Sequence, residues 1–426
     1  MTTREENEFL TKTGPGTPMG ALFRRYWIPA LAASELPEPD CPPVRVTLLA
    51  ERLIAFRDSQ GRPGLIDEFC AHRGASLWFG RNEEGGLSCA FHGWKYDVTG
   101  QCIGIPSEPP ENGYCQHIKL AAYPCIEIGD VIWTYMGPPE HQPAPPAFEW
   151  TAVPPSHRYV SRRLQECNYL QALEGGIDSV HVSHLHRADL KSDPLHRGSK
   201  GATYTGNVEG RFEVVETEAG MIIGVRRPAE PGHVYWRITQ WVMPFFTMIP
   251  PYGDNALNGH AWVPIDDASC MTWSMTHHPT RPLSDRELET MRGGGGIHVK
   301  LIPGTLRPVV NKDNDYLMDR AAQKSGATTS GVRTIAMQDA SIQESMGPIQ
   351  DRTREHLVSS DNAIIMARRR LRRSALAVAG GGRPDAIDPA AHHVRSASLV
   401  LPEGVPFHEA AAAALIAKQG VAHASV

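Results

Sequence analysis

Cys70-Ala-His72-Arg-Gly74 is followed, after a polar insert, by Cys89-Ala-Phe-His92-Gly-Trp-Lys-Tyr96. One cysteine and one histidine from each run make the ligand set of a [2Fe–2S] cluster with two thiolates on one iron and two imidazoles on the other. One residue separates Cys70 from His72 and two separate Cys89 from His92, so each loop reaches both irons, one through sulfur and one through nitrogen. Sixteen residues lie between the loops. They suffice for a strand, the turn Asn82-Glu-Glu-Gly-Gly86 and a returning strand that brings the second loop back to face the first. A four-coordinate zinc site also takes cysteine and histidine. Zinc pairs are more often two cysteines, and zinc does not call for Gly74 and Gly93-Trp94, which let the loops turn tightly beside a cluster.

A cluster of this kind, a Rieske centre, belongs at the loop tips of a small all-β domain. The chain around it fits: Val44-Arg-Val-Thr-Leu-Leu, Leu53-Ile-Ala-Phe-Arg and Leu65-Ile-Asp alternate in character between Gly, Pro and Asp turns. Gly100-Gln-Cys-Ile-Gly-Ile-Pro106 reads as a third loop that covers the cluster, and residues 126–136 as a last hairpin. This domain is assigned to residues 41–145, with residues 1–40 a segment packed on the body, containing a short amphipathic helix at 21–27. The Pro-rich stretch at 137–146 marks the boundary. Residues 146–379 form a second domain, with a helical stretch at 169–178, strands between about 203 and 278, and a long helix through 359–373. The arginines of that helix are expected on a solvated or subunit-facing surface. Residues 380–426 are read as a tail with an alanine-rich helix near 407–418.

With 426 residues, 41% hydrophobic and 21% charged, and a net charge of −5, the chain has an ordinary globular composition. The mildly acidic balance excludes nucleic acid or an anionic membrane surface as the main partner, since both need a basic footprint. No signal peptide or bilayer-spanning apolar run is found, so a cytoplasmic protein is expected. Of eight cysteines, two belong to the cluster; Cys41, Cys102, Cys115, Cys125, Cys167 and Cys270 show no repeated spacing and are expected as buried free thiols.

Electrons from a Rieske centre need an acceptor, and Asp178-Ser-Val-His181-Val-Ser-His184-Leu-His186 is the histidine-rich candidate. Asp178 and His181 share a helical face. On an unbroken helix His181 pairs with His184, whereas a site using His181 and His186 requires the helix to bulge or end between them. Histidines merely hydrogen-bonded on a helix surface are the plainer alternative.

Together the two Cys/His pairs, the run from Cys89 to Asp97, and Glu174-Gly-Gly-Ile-Asp-Ser-Val-His-Val-Ser-His-Leu-His186 resemble the oxygenase component of Rieske non-haem iron oxygenases, in particular the phthalate 4,5-dioxygenase-like group. The resemblance covers the chain to about residue 375. It implies an α+β fold: an N-terminal all-β Rieske [2Fe–2S] domain and a catalytic domain of antiparallel sheet covered by helices, helix-grip-like. It implies His181, His186 and a downstream acid as ligands of a mononuclear Fe(II), and Gln338-Asp339-Ala-Ser-Ile-Gln-Glu344 matches the position of that acid. Asp339 is chosen, with Glu344, Asp351 and Asp361 as rivals. Two histidines and one carboxylate leave positions for O2 and substrate. Many relatives carry Asn where Gly175 stands.

The resemblance further implies a homotrimer or a multiple of it, with Asp178 joining His181 to His92 of the partner subunit. The implied partners are an NADH-dependent reductase, with or without a ferredoxin, O2 and an aromatic acid. The implied outcome is cis-dihydroxylation of a phthalate-like acid or O-demethylation of a methoxylated acid, biaryl acids included. A carboxylate in an apolar pocket favours a bidentate arginine; Arg211 and Arg237, both on strands, are the candidates. A Rieske electron carrier or ligand-binding protein without oxygenase activity is the alternative, and it predicts one type of iron.

Overall fold

Short alternating runs fold into three antiparallel sheets within residues Thr13–Pro143, one of two units in the computed structural model, which describes residues 2–193, 199–418 and 420–426. Val44–Leu48, Glu51–Arg57, Pro63–Asp67 and Ala122–Tyr123 form a four-stranded sheet whose register, Ile54 opposite Ile66, turns Ile54, Phe56 and Ile66 into the core beneath the cluster loops. Arg81–Glu83, Gly86–Ser88, Lys95–Tyr96 and Cys102–Gly104 form a second sheet, in chain order. The turn expected at 82–86 is a two-residue hairpin, Glu84 at φ 50° and Gly85 at φ 80°, the pair of positive φ values that matches strand twist. The third sheet joins Trp27–Ala32, Val131–Tyr135 and Cys125–Ile128.

The N-terminal segment is not a single piece. Helix Arg4–Thr11 belongs to the other unit, whereas the chain from Thr13 onward belongs here. The helix expected at 21–27 is Pro18–Phe23, set earlier because Thr17 accepts the Gly20 N–H and Pro18 suits the first turn. Trp27 already starts a strand.

The second unit comprises Met1–Lys12 and Ala144–Val426. Its antiparallel sheet of eight strands runs in the order Arg158–Gln165, Cys270–His277, Leu257–Pro264, Phe246–Ile249, His233–Val242, Gly220–Pro228, Arg211–Glu216, and Ala397–Pro402 also pairs with His233–Val242. Helix Tyr169–Ile177 packs on the sheet; Asn168 starts it by accepting the Leu170 N–H.

Two expectations need correction here. Residues 380–426 are no appendage: Tyr235 stands opposite Val400 in the ladder, and fully buried Phe407 stacks on Trp236 with ring centroids 4.5 Å apart. The alanine-rich helix shrinks to Phe407–Ala410, because the chain beyond it is drawn into a bridge between Val394 and Ile416. Nor is the arginine-rich helix, Asn362–Ala379, solvated throughout. Arg368 is buried on Glu174 and Glu355, and Arg370 on Asp385 and the Thr217 and Glu218 carbonyls. Arg369, Arg372 and Arg373 are the exposed members. Cys115 and Cys125 are half-buried, and the other four non-cluster cysteines are buried.

Candidate active site

The two cluster loops are built alike. In each, a glycine N–H closes onto the carbonyl of the loop's own cysteine, Gly74 to Cys70 and Gly93 to Cys89, both at 2.9 Å. Both glycines adopt positive φ, 73° and 75°, a conformation that a Cβ disfavours. Cys70 and Cys89 are buried and their thiols adjoin. Burial pushes the Cys70 thiol up and Cys89 adds to the push, whereas the Tyr96 hydroxyl opposes it. That hydroxyl accepts the Ala71 N–H at 3.1 Å, which leaves its own hydrogen for Cys70 Sγ at 3.2 Å. The exposed His72 and His92 rings lie 4.5 Å apart, and His72 stacks on Trp94. Pro106, in the third loop, sits where a Cβ on Gly93 would go, 2.8 Å away. Two adjoining thiols on one side and two imidazoles on the other are the donor set of a Rieske cluster, and the group fits.

In the second unit the helix Tyr169–Ile177 ends at Asp178, which turns into extended backbone and accepts the Val180 N–H at 2.7 Å. Val180–His184 and Arg187–Ser192 are separate short helices, and His186 sits at the break between them. The break brings together the histidines that a continuous helix would part: the His181 and His186 rings are 5.1 Å apart, whereas His184 is exposed. Asp339, on helix Ile335–Ser345, completes the group, its Oδ1 3.0 Å from His186 Nε2 and 3.5 Å from His181 Nε2. The three donor atoms lie within 4.8 Å of one another.

The remaining ring nitrogens are held from behind. Asp178 Oδ2 is 3.4 Å from His181 Nδ1. Gln338 is fully buried; its amide donates to Asp189 Oδ2 at 2.8 Å and the Val332 carbonyl at 3.1 Å, so its Oε1 must accept from His186 Nδ1 at 2.7 Å. With Nδ1 keeping its proton, Nε2 is the nitrogen that gives up its proton to Asp339 or solvent when a metal takes its lone pair. Burial works to raise the Asp339 carboxyl, but His186 and His181 beside it hold it at about 2. An ionised carboxylate and two imidazoles whose Nε2 atoms can be deprotonated, on one side of a cavity, fit a non-haem Fe(II) with open positions.

The rival acids are occupied elsewhere. Glu344 accepts from the Tyr316 hydroxyl and the Glu166 N–H, Asp351 from Thr353, and Asp361 from the Val358 N–H. Asp254, His278 and His423 also cluster. There His278 Nδ1 accepts the Thr280 and Arg281 N–H groups, so Nε2 keeps its proton for Asp254 rather than a lone pair for a metal.

The cavity beside Asp339 is lined by Arg237, Arg163, His260, Trp262, Tyr252 and Met291, among others. Arg237 is 6% exposed and donates to the hydroxyls of Ser179 at 3.0 Å and Thr239 at 3.1 Å. Arg211 is exposed on the edge strand, opposite Arg226, and does not line this cavity. A Cβ at Gly175 would lie 2.1 Å from Gln343 Nε2, so the volume that an asparagine side chain would need is filled by the Gln343 amide. Gly176 is needed for close approach, since a Cβ there would meet the Trp262 ring at 2.0 Å.

Sequence reasoning did not single out Gln338, Gln343, His260 or Arg163. Gln338 had a visible signal, adjacency to Asp339; nothing in Ser161-Arg162-Arg163-Leu164 says which arginine turns toward the cavity.

Residues 26–124 match the family model of the Rieske [2Fe-2S] domain, and residues 134–416 match the one described as LigXa C-terminal domain like. The 3-chlorobenzoate-3,4-dioxygenase oxygenase subunit of Comamonas testosteroni is 37% identical, over 96% of this chain and 98% of that protein. The phthalate 4,5-dioxygenase oxygenase subunit of Pseudomonas putida is 38% identical over 87% and 85%. The 5,5'-dehydrodivanillate O-demethylase oxygenase subunit of Sphingobium is 30% identical over 92% and 85%. Dicamba monooxygenase has the same fold, with a TM-score of 0.58 at 19% identity over 84% of this chain and 98% of that one. With both sets of donors in place and relatives this close over nearly the whole length, the chain belongs to the Rieske non-haem iron oxygenases, as their oxygenase component.

Proposed function

We propose that the chain oxidises an aromatic carboxylic acid, using O2 and electrons drawn from NADH through a separate reductase, with or without a ferredoxin, and that it works as a homotrimer or a multiple of it. The observation that carries the substrate class is one cavity holding His181, His186 and Asp339 together with the buried cation Arg237. When bound, the cluster supplies single electrons and the mononuclear iron supplies O2 activation.

The chain's own residues set positions. Arg237 takes the substrate carboxylate, its guanidinium aligned by Ser179 and Thr239. Trp262 and Met291 offer apolar walls for the ring and exclude water. Asp178, about a quarter exposed, orients His181 and in the proposed trimer would carry electrons to it from the His92 of an adjacent subunit. Whether a ring edge or a methoxy group is presented to the iron decides between cis-dihydroxylation and O-demethylation, and the relatives' names include both a dioxygenase and a demethylase.

The test is turnover of a panel of aromatic acids, with and without methoxy groups, using a generic reductase and NADH. Acid-dependent consumption of NADH and O2 is expected; formaldehyde release then identifies demethylation and a cis-diol identifies dihydroxylation. Oxidation of neutral aromatics only, or of nothing, would overturn the reading. In the same assay Arg237→Met is expected to raise KM for the acid by about tenfold or more, through loss of a charge-assisted pair; an unchanged KM removes Arg237.

A further inference from the structure

Side chains alternate along the strand Leu257–Pro264, and Asn258, His260 and Trp262, with Ala256 just before it, all face the cavity beside Asp339. Asn258 and His260 are half-buried, and the His260 ring lies against Trp262 with centroids 5.2 Å apart. His260 Nδ1 is 3.1 Å from the Trp273 carbonyl and 3.2 Å from Ser274 Oγ. The Ser274 hydroxyl spends its hydrogen on the Ile297 carbonyl at 3.0 Å, so both neighbours of Nδ1 can only accept, and Nδ1 carries the ring's hydrogen. Nε2 is left as a lone pair. Burial drives the ring down to about 4, against the pull of the Trp273 carbonyl, and nearby Arg163 adds to the push, so His260 is neutral at ordinary pH.

Among the described residues nothing donates to that lone pair, and Nε2 keeps accessible surface in the cavity that His260 lines. Asn258 offers the complement. Its Oδ1 accepts the Thr276 hydroxyl at 2.6 Å, and its NH2 group, also without a partner among the described residues, is left for the cavity. One strand face thus presents a neutral acceptor and a neutral donor two residues apart. A hydroxyl satisfies both, donating to His260 and accepting from Asn258. A methoxy or carboxylate oxygen sets a lone pair against the His260 lone pair, and a halogen or bare ring edge gives His260 no hydrogen to accept. In the ladder Trp241, Thr247 and His260 stand opposite one another, and Arg237 lies four residues before Trp241 on the same face. Two strand spacings and four residues put the Arg237 and His260 Cα atoms roughly 16 Å apart, so a hydroxyl that reaches His260 sits on the ring away from a carboxylate held by Arg237.

We propose that His260 is a specificity-determining residue that accepts a hydrogen bond from a hydroxyl on the ring of the acid, meta or para to the carboxylate taken by Arg237, with Asn258 holding the hydroxyl oxygen. The inference rests on the reading of this cavity as the site of an aromatic acid. It adds a neutral recognition, separate from the charge pairing at Arg237, that tells a ring hydroxyl from its methyl ether.

The test is equilibrium binding to the metal-loaded protein under anaerobic conditions without reductase, using benzoate, 3- and 4-hydroxybenzoate and the matching methoxybenzoates. Wild type is expected to bind at least one hydroxybenzoate about fivefold or more tighter than its methyl ether and benzoate. His260→Phe should bring that ratio to about one, the loss falling on the hydroxybenzoates more than on benzoate; His260→Leu, with no ring to fit, serves if His260→Phe does not fold. Arg237→Met should weaken every acid and leave the ratio standing. A wild-type protein that binds hydroxybenzoates no tighter than their methyl ethers, or a His260 variant that keeps the preference, as it would if the metal held the hydroxyl, would overturn the proposal alone. Binding of no aromatic acid would overturn the aromatic-acid reading together with it.

Discussion

Tyr96 is placed to tune the cluster that Cys70 would hold. Its hydroxyl spans the Ala71 N–H and the Cys70 sulfur, and a hydrogen bond to a cluster sulfur stabilises the reduced, more negative state. Tyr96→Phe is therefore expected to lower the reduction potential with the cluster still bound, as measured by redox titration of its spectrum; an unchanged potential would remove the bond from the account. At the mononuclear site Gln338→Leu takes away the acceptor that orients His186, and iron affinity should fall by about 10- to 100-fold, read by metal competition. Asp178→Asn is expected to keep both metals and abolish turnover; normal turnover would remove Asp178 from the electron route. The Cys and His donors could be picked out because thiolates and imidazoles at fixed short spacing carry their chemistry in the sequence. Gln338 and Gln343 were not, because a neutral amide announces nothing until its partners, Asp189 and Gln165, are brought to it by the fold.

Among elements, the loop turns and the broken histidine helix do the positioning. Alanine at Gly74 meets open space and faces only the left-handed backbone penalty, about 1–2 kcal/mol. Alanine at Gly93 faces the same penalty and a 2.8 Å approach to Pro106, so it should cost about 1–3 kcal/mol more. Cluster occupancy from visible absorbance should thus fall further in Gly93→Ala than in Gly74→Ala; the reverse order would contradict the packing. Helix periodicity alone pairs His181 with His184; the break between His181 and His186 became legible only once the resemblance chose those two histidines. The fate of the arginine helix was not: Arg368 is buried because Glu174 and Glu355 come to it from distant stretches, and no local pattern reports a non-local ion pair.

Across the second unit, buried ion pairs and a late strand tie remote segments together. Glu174 holds Arg352 and Arg368, and Arg352 also reaches Asn7 on the N-terminal helix. Burial works to raise Glu174, but the two guanidiniums bring it below the usual carboxylate range. A carboxyl depressed in the folded state contributes stability that is complete above its unfolded value, roughly 4.3, and is lost as pH falls through the folded value. The unfolding midpoint should therefore drop below about pH 4.5, and Glu174→Gln, destabilised by about 3–5 kcal/mol, should show a flatter acid limb. Equal acid sensitivity in the variant would put the effect elsewhere. The β-rich cluster domain and the mixed second domain were readable from alternation and turn residues. The role of residues 397–410 was not, because strand Ala397–Pro402 finds its partner, His233–Val242, more than 150 residues earlier.

The central claim is that one chain holds two chemically separate iron centres, one at Cys70, His72, Cys89 and His92 and one at His181, His186 and Asp339. The direct measurement is iron and acid-labile sulfide per chain, with electron paramagnetic resonance of the reduced protein, in wild type and in the His186→Ala, Asp339→Ala double variant. The account predicts three irons and two sulfides in wild type, and two irons, two sulfides and an unchanged Rieske signal in the variant. Two irons in both proteins, or loss of the Rieske signal along with the third iron, would contradict it.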